Sequence, residues 1–458
     1  MIRDLLDYYR LPAGLFPSLS SAIDPLPGEN GFFEFGDKNI CYGRNRSGVS
    51  ADVADAGKFD ASEDVRLDGS TMQLPFDFTE VIENLRRERY RRNMNADRKS
   101  FSASKAVRKI YYFVREWLPV PLRRQLQKIY LRSWKDLPFP AWPVDFTVDN
   151  LHSELLRLFM EKSGATKVPF IWFWPEGASG CLIMTHDVET SAGRDFTPAL
   201  MDLDASYGIK ASFQVVPEER YEVPEEYARQ IRDHGCEFNV HDLSHDGQLY
   251  QRRDIFLQRA KRINEYNKKY DARGFRAGVM YRDLDWYEAY DFSYDMSVPN
   301  VAHLEPQRGG CCTVMPFFVG KILELPLTTT QDYSLFYILN DHSIDLWKKQ
   351  LDLIRERNGL MSFIAHPDYL INRKNRSVYE SLLKYLRQMI VRENIWAALP
   401  GDVDRWWRAR SQMRIVSRDG GWEIEGLEKE RARIAYAVLD KGRVKYQLAE
   451  VAQEDVHT

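Results

Sequence analysis

Apolar residues recur along this chain with different periods, and the changes of period divide it. Between 166 and 410, short apolar, β-rich runs alternate with stretches of helical spacing. The runs are Cys181–Met184, Ala211–Val216, Glu237–Val240, Gly274–Phe275, Phe292–Tyr294, Ile322–Leu327, Leu360–Ala365 and Ile395–Leu399. Helical periodicity separates several of them, at Pro224–Asp233, Ile255–Tyr270, Leu346–Arg357 and Val378–Arg392. Strand followed by helix, repeated, predicts an α/β fold: a distorted (β/α) barrel or a relative of one. In such folds the functional side chains lie beyond the C-terminal ends of the strands.

The flanks read differently. Residues 1–165 form an N-terminal region, expected to be mainly helical. Val107, Ile110, Tyr111, Val114 and Leu118 follow helical spacing, and Leu122, Leu126 and Ile129 do so again after Pro119 and Pro121 interrupt the run. Within it, 47–72 is polar and rich in Asp, Ser, Gly and Ala, which predicts a mobile loop. The segment from Arg86 to Arg132 is strongly basic and carries few acids. That pattern fits either a solvated face or contact with an anionic lipid surface. Residues 411–458 look like a small β module, with strands at Met413–Ser417, Trp422–Ile424, Ala435–Leu439 and Val444–Leu448. Turns at Asp419-Gly420-Gly421 and Lys441-Gly442 would join them.

Composition adds a few exclusions. A net charge of -3 over 458 residues argues against a general nucleic-acid binder. The five cysteines are odd in number, two are adjacent (Cys311 and Cys312), and Cys181 and Cys236 adjoin apolar strands. This is not a disulfide framework and points to a reducing, cytoplasmic setting. The first residues show no apolar core followed by a cleavage site, and no run reaches membrane-spanning length. Peripheral contact with an anionic inner membrane stays open.

Candidate chemistry gathers at the strand ends. The run Cys181–Thr185 leads into His186-Asp187-Val188-Glu189, whose two acids are expected on the turn just beyond the strand. The next such ending is His241-Asp242-Leu243-Ser244-His245. Two imidazoles and nearby carboxylates make a donor set for a first-row divalent ion. Further along, Arg276 follows Gly274-Phe275, Asp295 closes Phe292-Ser293-Tyr294, and His366 ends Met361–Ala365. One strand-end histidine or arginine is usually structural. Several in one domain, each of a different catalytic type, point to a site.

These motifs, in this order, resemble the polysaccharide deacetylases of carbohydrate esterase family 4, the chitooligosaccharide-deacetylase homology domain. Thr185–Glu189 resembles the family's first motif, with Glu189 where the family carries Asp, and His241–His245 matches its His-x-x-x-His motif. Phe275-Arg276-Ala277 resembles the arginine motif and Ile364-Ala365-His366 the last one. The resemblance spans roughly 168–410 and implies a distorted (β/α) barrel of the polysaccharide deacetylase type. It also implies a zinc or other first-row divalent ion held by Glu189, His241 and His245. Asp187 would be the general base, Arg276 would orient it, and His366 would be the general acid. Asp295 is the first choice to orient His366, with Asp332 as competitor. The implied substrate is an N-acetylated saccharide, or a lipid-linked precursor, in exopolysaccharide or cell-envelope assembly. Two other readings share these residues: a metal amidohydrolase acting on a small non-sugar amide, and a catalytically silent carbohydrate-binding scaffold.

Overall fold

The computed structural model describes residues 3–14, 19–20, 26–54, 58–68, 71–91 and 120–449. The N-terminal region carries strands as well as helices. Two short strands, β1 (Leu19–Ser20) and β2 (Gly31–Phe35), are followed by β3 (Asn39–Gly43), β4 (Arg66–Asp68) and β5 (Thr71–Gln73). β2 and β3 form a hairpin, and the others form a small sheet in the order β1-β5-β4. Of the expected mobile loop at 47–72, the described residues include pairing at Ala51, Asp60, 66–68 and 71–72, with turns and irregular backbone between. Ala51 bridges to Phe32 and Asp60 to Glu34, and the Asp60 carboxylate caps the turn Ala61–Asp64 by accepting from Ser62 N at 2.9 Å. Polar composition signalled exposure there. It did not exclude backbone pairing on the edge of β2.

Of the predicted helical repeat, Val107–Leu118 lies outside the described residues, while Leu122, Leu126 and Ile129 fall in a helix, Val120–Leu131. The start of the basic segment faces protein. Arg86 is buried over the Phe317 ring and 3.9 Å from Asp4. Arg87 and Arg89 both reach Asp285.

After the helix Thr147–Ser163 comes β6 (Lys167–Ile171), and then the central strand β7 (Gly180–Val188), all nine of whose residues are buried. Strands β8 (Ala211–Val215), β9 (Glu237–His241), β10 (Gly274–Arg276), β11 (Tyr294–Asp295), β12 (Phe317–Val319), β13 (Ile322–Glu324), β14 (Leu360–Ile364) and β15 (Ile395–Ala397) complete the sheet. Its order is β12-β13-β11-β10-β9-β8-β7-β14, with β15 also pairing with β7. Every pairing is parallel except β12 with β13. This is a mixed α/β fold with a curled, half-closed barrel sheet, the distorted (β/α) barrel that the alternation predicts.

The segment between β13 and β14 meets the edge of β14 mainly through side chains, with one backbone bond from Thr329 N to Ser362 O at 3.3 Å. Thr328 Oγ1 donates to Leu360 O and accepts from Ser362 N, and Thr329 Oγ1 donates to Ser362 O. The segment 328–330 is thereby laid along the free edge of β14 without joining its ladder.

The C-terminal strands β16 (Arg414–Arg418), β17 (Gly421–Glu425), β18 (Ile434–Asp440) and β19 (Arg443–Leu448) lie where the pattern predicts strands. Their connection was not foreseen. β18 pairs with β6, a strand that the apolar runs did not include, so Lys167–Ile171 belongs to the C-terminal sheet and not to the barrel. One hydrophobic core takes in Leu5, Phe32 and Leu85 from the N-terminal region, Cys181 and Ile183 from β7, and Trp406 and Ala435 from the C-terminal part. All five cysteines are free and buried, and among the described residues no helix is long and apolar enough to cross a membrane.

Candidate active site

The strand ends bring six of the seven predicted residues together. Asp187 and Glu189 arrive there by a different route from the one expected. β7 continues to Val188, so Asp187 is still strand and Glu189 is one residue past it. An extended chain repeats every two residues, and that period puts both acids on one face without a turn.

His241 is the last residue of β9 and lies in register with Arg276 of β10. Its Nδ1 is 3.0 Å from Arg276 O, a carbonyl that can only accept, so Nδ1 carries a proton and the neutral ring has its lone pair on Nε2. His245 comes back to the same point because the loop turns sharply. Asp242 and His245 both sit at positive φ, 55° and 54°. The neighbouring loop presses close: a Cβ on Gly278 would lie 2.4 Å from Asp242 Oδ2 and 2.9 Å from His245 Cδ2, so only glycine fits there.

Glu189 Oε1 lies 2.9 Å from His245 Nε2 and 3.6 Å from His241 Nε2. One donor atom from each of Glu189, His241 and His245 falls within 4.8 Å of the others. The Nε2 atoms of both histidines are buried and make no well-aligned hydrogen bond. Buried polar atoms are normally paired, so two orphaned imidazole nitrogens beside a carboxylate oxygen fit a divalent ion. These three residues are the ones able to hold it.

Asp187 is fixed from behind. Its Oδ1 accepts from Arg276 Nη1 at 2.6 Å, and its Oδ2 is 3.8 Å from His241 Nε2. Arg276 is fully buried and is itself held by Met296 O through Nε and by Thr185 Oγ1 through Nη1. Burial pulls the Asp187 carboxyl upward, but Arg276 and then His241 outweigh it and hold it below the ordinary aspartate value. Burial likewise opposes the Glu189 charge, and His245 with the neighbouring imidazoles brings it well below the glutamate value.

His366 stands on the other side of the cluster, its Nε2 3.4 Å from Glu189 Oε1. Its orienting acid is Asp332, not Asp295. Asp332 Oδ1 is 2.6 Å from His366 Nδ1, and Oδ2 accepts from the His366 backbone N at 2.7 Å. The Tyr369 ring stacks on the imidazole with centroids 4.6 Å apart. Burial lowers the His366 pKa, but Asp332 and then Glu189 overturn this and raise it well above the ordinary value. Asp295 is occupied elsewhere. It accepts from Tyr287 Oη and Ser297 Oγ, each at 2.8 Å, and from Ser297 N at 2.9 Å. The sheet order explains the difference. β11, which carries Asp295, is separated from β14 by β10, β9, β8 and β7, whereas 328–330 runs along β14 and delivers Asp332 to its end.

The sequence reading did not select Tyr369, Gly278 or Asp368. Asp368 lies two residues after His366, and burial pushes its carboxyl up to about 6. The histidine of the first motif, His186, is no part of the cluster. Its Nε2 is paired to Asp204 at 2.8 Å and its Nδ1 to Ala365 O at 2.9 Å.

No family model matches this chain, and no curated protein does. Solved structures do. A protein assigned as a polysaccharide deacetylase from Mycobacterium smegmatis is 18% identical over 54% of this chain and 97% of its own, with a TM-score of 0.43. The chitin deacetylase of Colletotrichum lindemuthianum is 14% identical over 50% of this chain and 89% of its own, with a TM-score of 0.32. A family 4 acetyl xylan esterase from Clostridium thermocellum, in complex with a cobalt ion, is 13% identical over 49% and 91%, with a TM-score of 0.32.

Proposed function

We propose that this protein is a metal-dependent hydrolase that removes the acetyl group from an N-acetylated sugar. The observation that carries this reading is the arrangement of the cluster. Glu189, His241 and His245 form a donor set with orphaned nitrogens, with Asp187 on one side and His366 on the other. Each flanking group is held by a buried partner of its own, Arg276 or Asp332. A silent scaffold needs only the three donors. Holding a base and an acid in fixed orientation serves proton transfer.

A zinc or other first-row divalent ion, held by Glu189, His241 and His245, would polarise the amide carbonyl and lower the pKa of a bound water. Asp187 accepts the proton of the attacking water. Oδ2 is the oxygen for this task, because Oδ1 is committed to Arg276. Arg276 is a positioning residue that keeps the carboxylate ionised and aimed. His366 holds its Nδ1 proton on Asp332 and presents Nε2 to the site. As the carbon–nitrogen bond breaks, the Nε2 proton passes to the departing amine. The water oxygen ends on the acetyl carbon, giving acetate and a free amino sugar.

The sugar, and a setting in exopolysaccharide or cell-envelope assembly, rest on the motif resemblance of His241–His245, Arg276 and His366. The test is acetate release by metal-reconstituted protein from N-acetylglucosamine oligomers, set against small cyclic amides. Acetate from the oligomers with no turnover of the cyclic amides is expected. Turnover of the cyclic amides alone would replace this reading with the small-amide one.

A further inference from the structure

The loops that carry the site continue into the wall of a concavity of about 340 Å³. Gly247 and Tyr250, just after His245, form one side, and Tyr281 and Arg282, just after Gly278, form the next. The third side comes from the N-terminal region as Arg87, Arg89 and Arg91. Four arginines from two distant stretches of chain thus line one polar space, Arg282 with a fully buried side chain, together with the acids Glu88, Asp283 and Asp285.

Pairing within this set is uneven. Glu88 grips Arg282 through both oxygens, Oε2 at 2.8 Å from Nε and Oε1 on Nη2, and both side chains are fully buried. Asp285 is divided between Arg87 and Arg89, at 3.4 and 3.1 Å, and Arg87 is held more closely by Glu83, at 2.6 Å. Among the described residues the ion pair of Arg91 is to the already committed Glu88, at 3.5 Å, with Asp283 adding a weaker attraction. Burial lowers the Arg91 pKa, and Glu88 only partly offsets it while Arg282 adds to the lowering. Gly309 makes room for this contact: a Cβ there would lie 2.6 Å from both Arg91 Cδ and Glu88 Oε1. Arg91 is therefore built into the wall with a shared counter-charge. A guanidinium in that condition, with others beside it, is suited to a planar fork of hydrogen bonds onto phosphate oxygens. The space is in the range that takes a small ligand.

We propose that this concavity binds a phosphate group carried by the sugar substrate, so that the acetamide reaches Glu189, His241 and His245 as part of a sugar phosphate. The inference rests on the deacetylase reading of that cluster. The phosphate could belong to a nucleotide-linked or a lipid-linked sugar, which present the same chemistry to the arginines.

The test uses the full-length, metal-loaded protein. Values of kcat/KM for acetate release are compared for N-acetylglucosamine, N-acetylglucosamine 1-phosphate, UDP-N-acetylglucosamine and a short polyprenyl-diphosphate-linked N-acetylglucosamine. Binding of glucose 1-phosphate, which has no acetamide, and of inorganic phosphate is followed by calorimetry. The phosphorylated sugars should exceed the neutral sugar by about tenfold or more, the worth of one charge-assisted hydrogen bond. The better of the nucleotide and lipid forms identifies the source. Arg91→Gln should weaken glucose 1-phosphate binding by about tenfold. Gln251→Glu, which adds a carboxylate to the same wall without removing an existing ion pair, should weaken it as well. Equal kcat/KM for neutral and phosphorylated sugars, with no glucose 1-phosphate binding, would mean that the arginines only dock the N-terminal segment on the barrel. Inorganic phosphate binding as tightly as glucose 1-phosphate would reduce the concavity to an anion site and overturn its role in substrate binding. Arg91-dependent binding of glucose 1-phosphate, with no acetate from any sugar, would keep the phosphate site and sink the deacetylase reading.

Discussion

The substitution Asp332→Asn separates the two acids that compete to orient His366. Asp332 uses both oxygens on that residue, one at 2.6 Å from the ring Nδ1 and one at 2.7 Å from the backbone N. Asparagine keeps a single acceptor oxygen, so its NH2 must face either the ring N–H or the backbone N–H, donor against donor. The way out is for the imidazole to give up the Nδ1 proton and accept from the amide. Losing a hydrogen bond to a charged group is worth about 1.5–3 kcal/mol. At about 1.4 kcal/mol per pKa unit, the His366 imidazolium should therefore titrate about one to two units lower. In a pH profile of kcat/KM for acetate release, the alkaline limb should move down by about that amount and the plateau fall about 10- to 100-fold. Metal content should not change, because Asp332 holds His366 and not the donors Glu189, His241 and His245. Asp295→Asn is the control. It breaks a buried set of bonds from Tyr287 and Ser297, so it should lower the melting temperature and leave the alkaline limb in place. An unmoved limb in Asp332→Asn together with a shifted one in Asp295→Asn would refute this reasoning.

Other consequences follow from the same geometry. His241→Ala and His245→Ala should each remove stoichiometric metal as measured by elemental analysis, and full occupancy in the double variant would rule out the donor set. Asp187→Asn should keep the metal and lose turnover by about 10²-fold or more, the scale of a general base. Glu189→Ala should instead weaken metal retention on dialysis, and the opposite outcome for this pair would reverse the two roles. Away from the site, burial pushes the Glu237 carboxyl up to about 7, although it accepts from Tyr294 Oη and Gly401 N. Between about pH 4.5 and 7 the native state keeps a proton that the unfolded chain has lost, so stability should fall as pH rises through that window, by at most about 3 kcal/mol. Glu237→Gln removes this titration, so urea unfolding at pH 4.5 and 7.5 should show the wild-type-minus-variant difference shrinking at the higher pH. Parallel curves would contradict the shift.

How much of this was legible in the sequence depended on whether the information was local. Strand positions were legible, because each run from Cys181–Met184 to Ile395–Leu399 states its own burial. So was the grouping of the candidate donors, since His241–His245 and Asp187–Glu189 are short motifs on single strand ends. The partner of His366 was not. Choosing between Asp295 and Asp332 requires the strand order and the course of 328–330 along β14, and neither is written in spacing. The pairing of β6 with β18 was hidden for the same reason, because Lys167–Ile171 was not among the apolar runs and its partner lies far along the chain. At 47–72 the polar signal left out some pairing: Ala51 and Asp60 each bridge to β2, which the local composition could not show.

The flanking regions bear on the site through β7. Asp187 occupies the C-terminal end of that strand, while Cys181 and Ile183, nearer its start, belong to the core shared with Leu5, Leu85, Trp406 and Ala435. Side chains in such a core are packed at the density of organic crystals and transmit displacement without absorbing it. The position of Asp187 relative to Arg276 and His241 is thus referred, along one rigid strand, to residues from both ends of the chain. A second tie runs across the mouth of the barrel. Glu88 is fully buried against Arg282, four residues beyond the Gly278 that packs on His245. Two buried charges of this kind are a poor source of net stability, because desolvation offsets most of their attraction, yet separating them is costly. Their value here is in registration. The ion pair fixes the 278–282 loop against the N-terminal segment, and with it the wall that the donor loop shares with Arg87, Arg89 and Arg91.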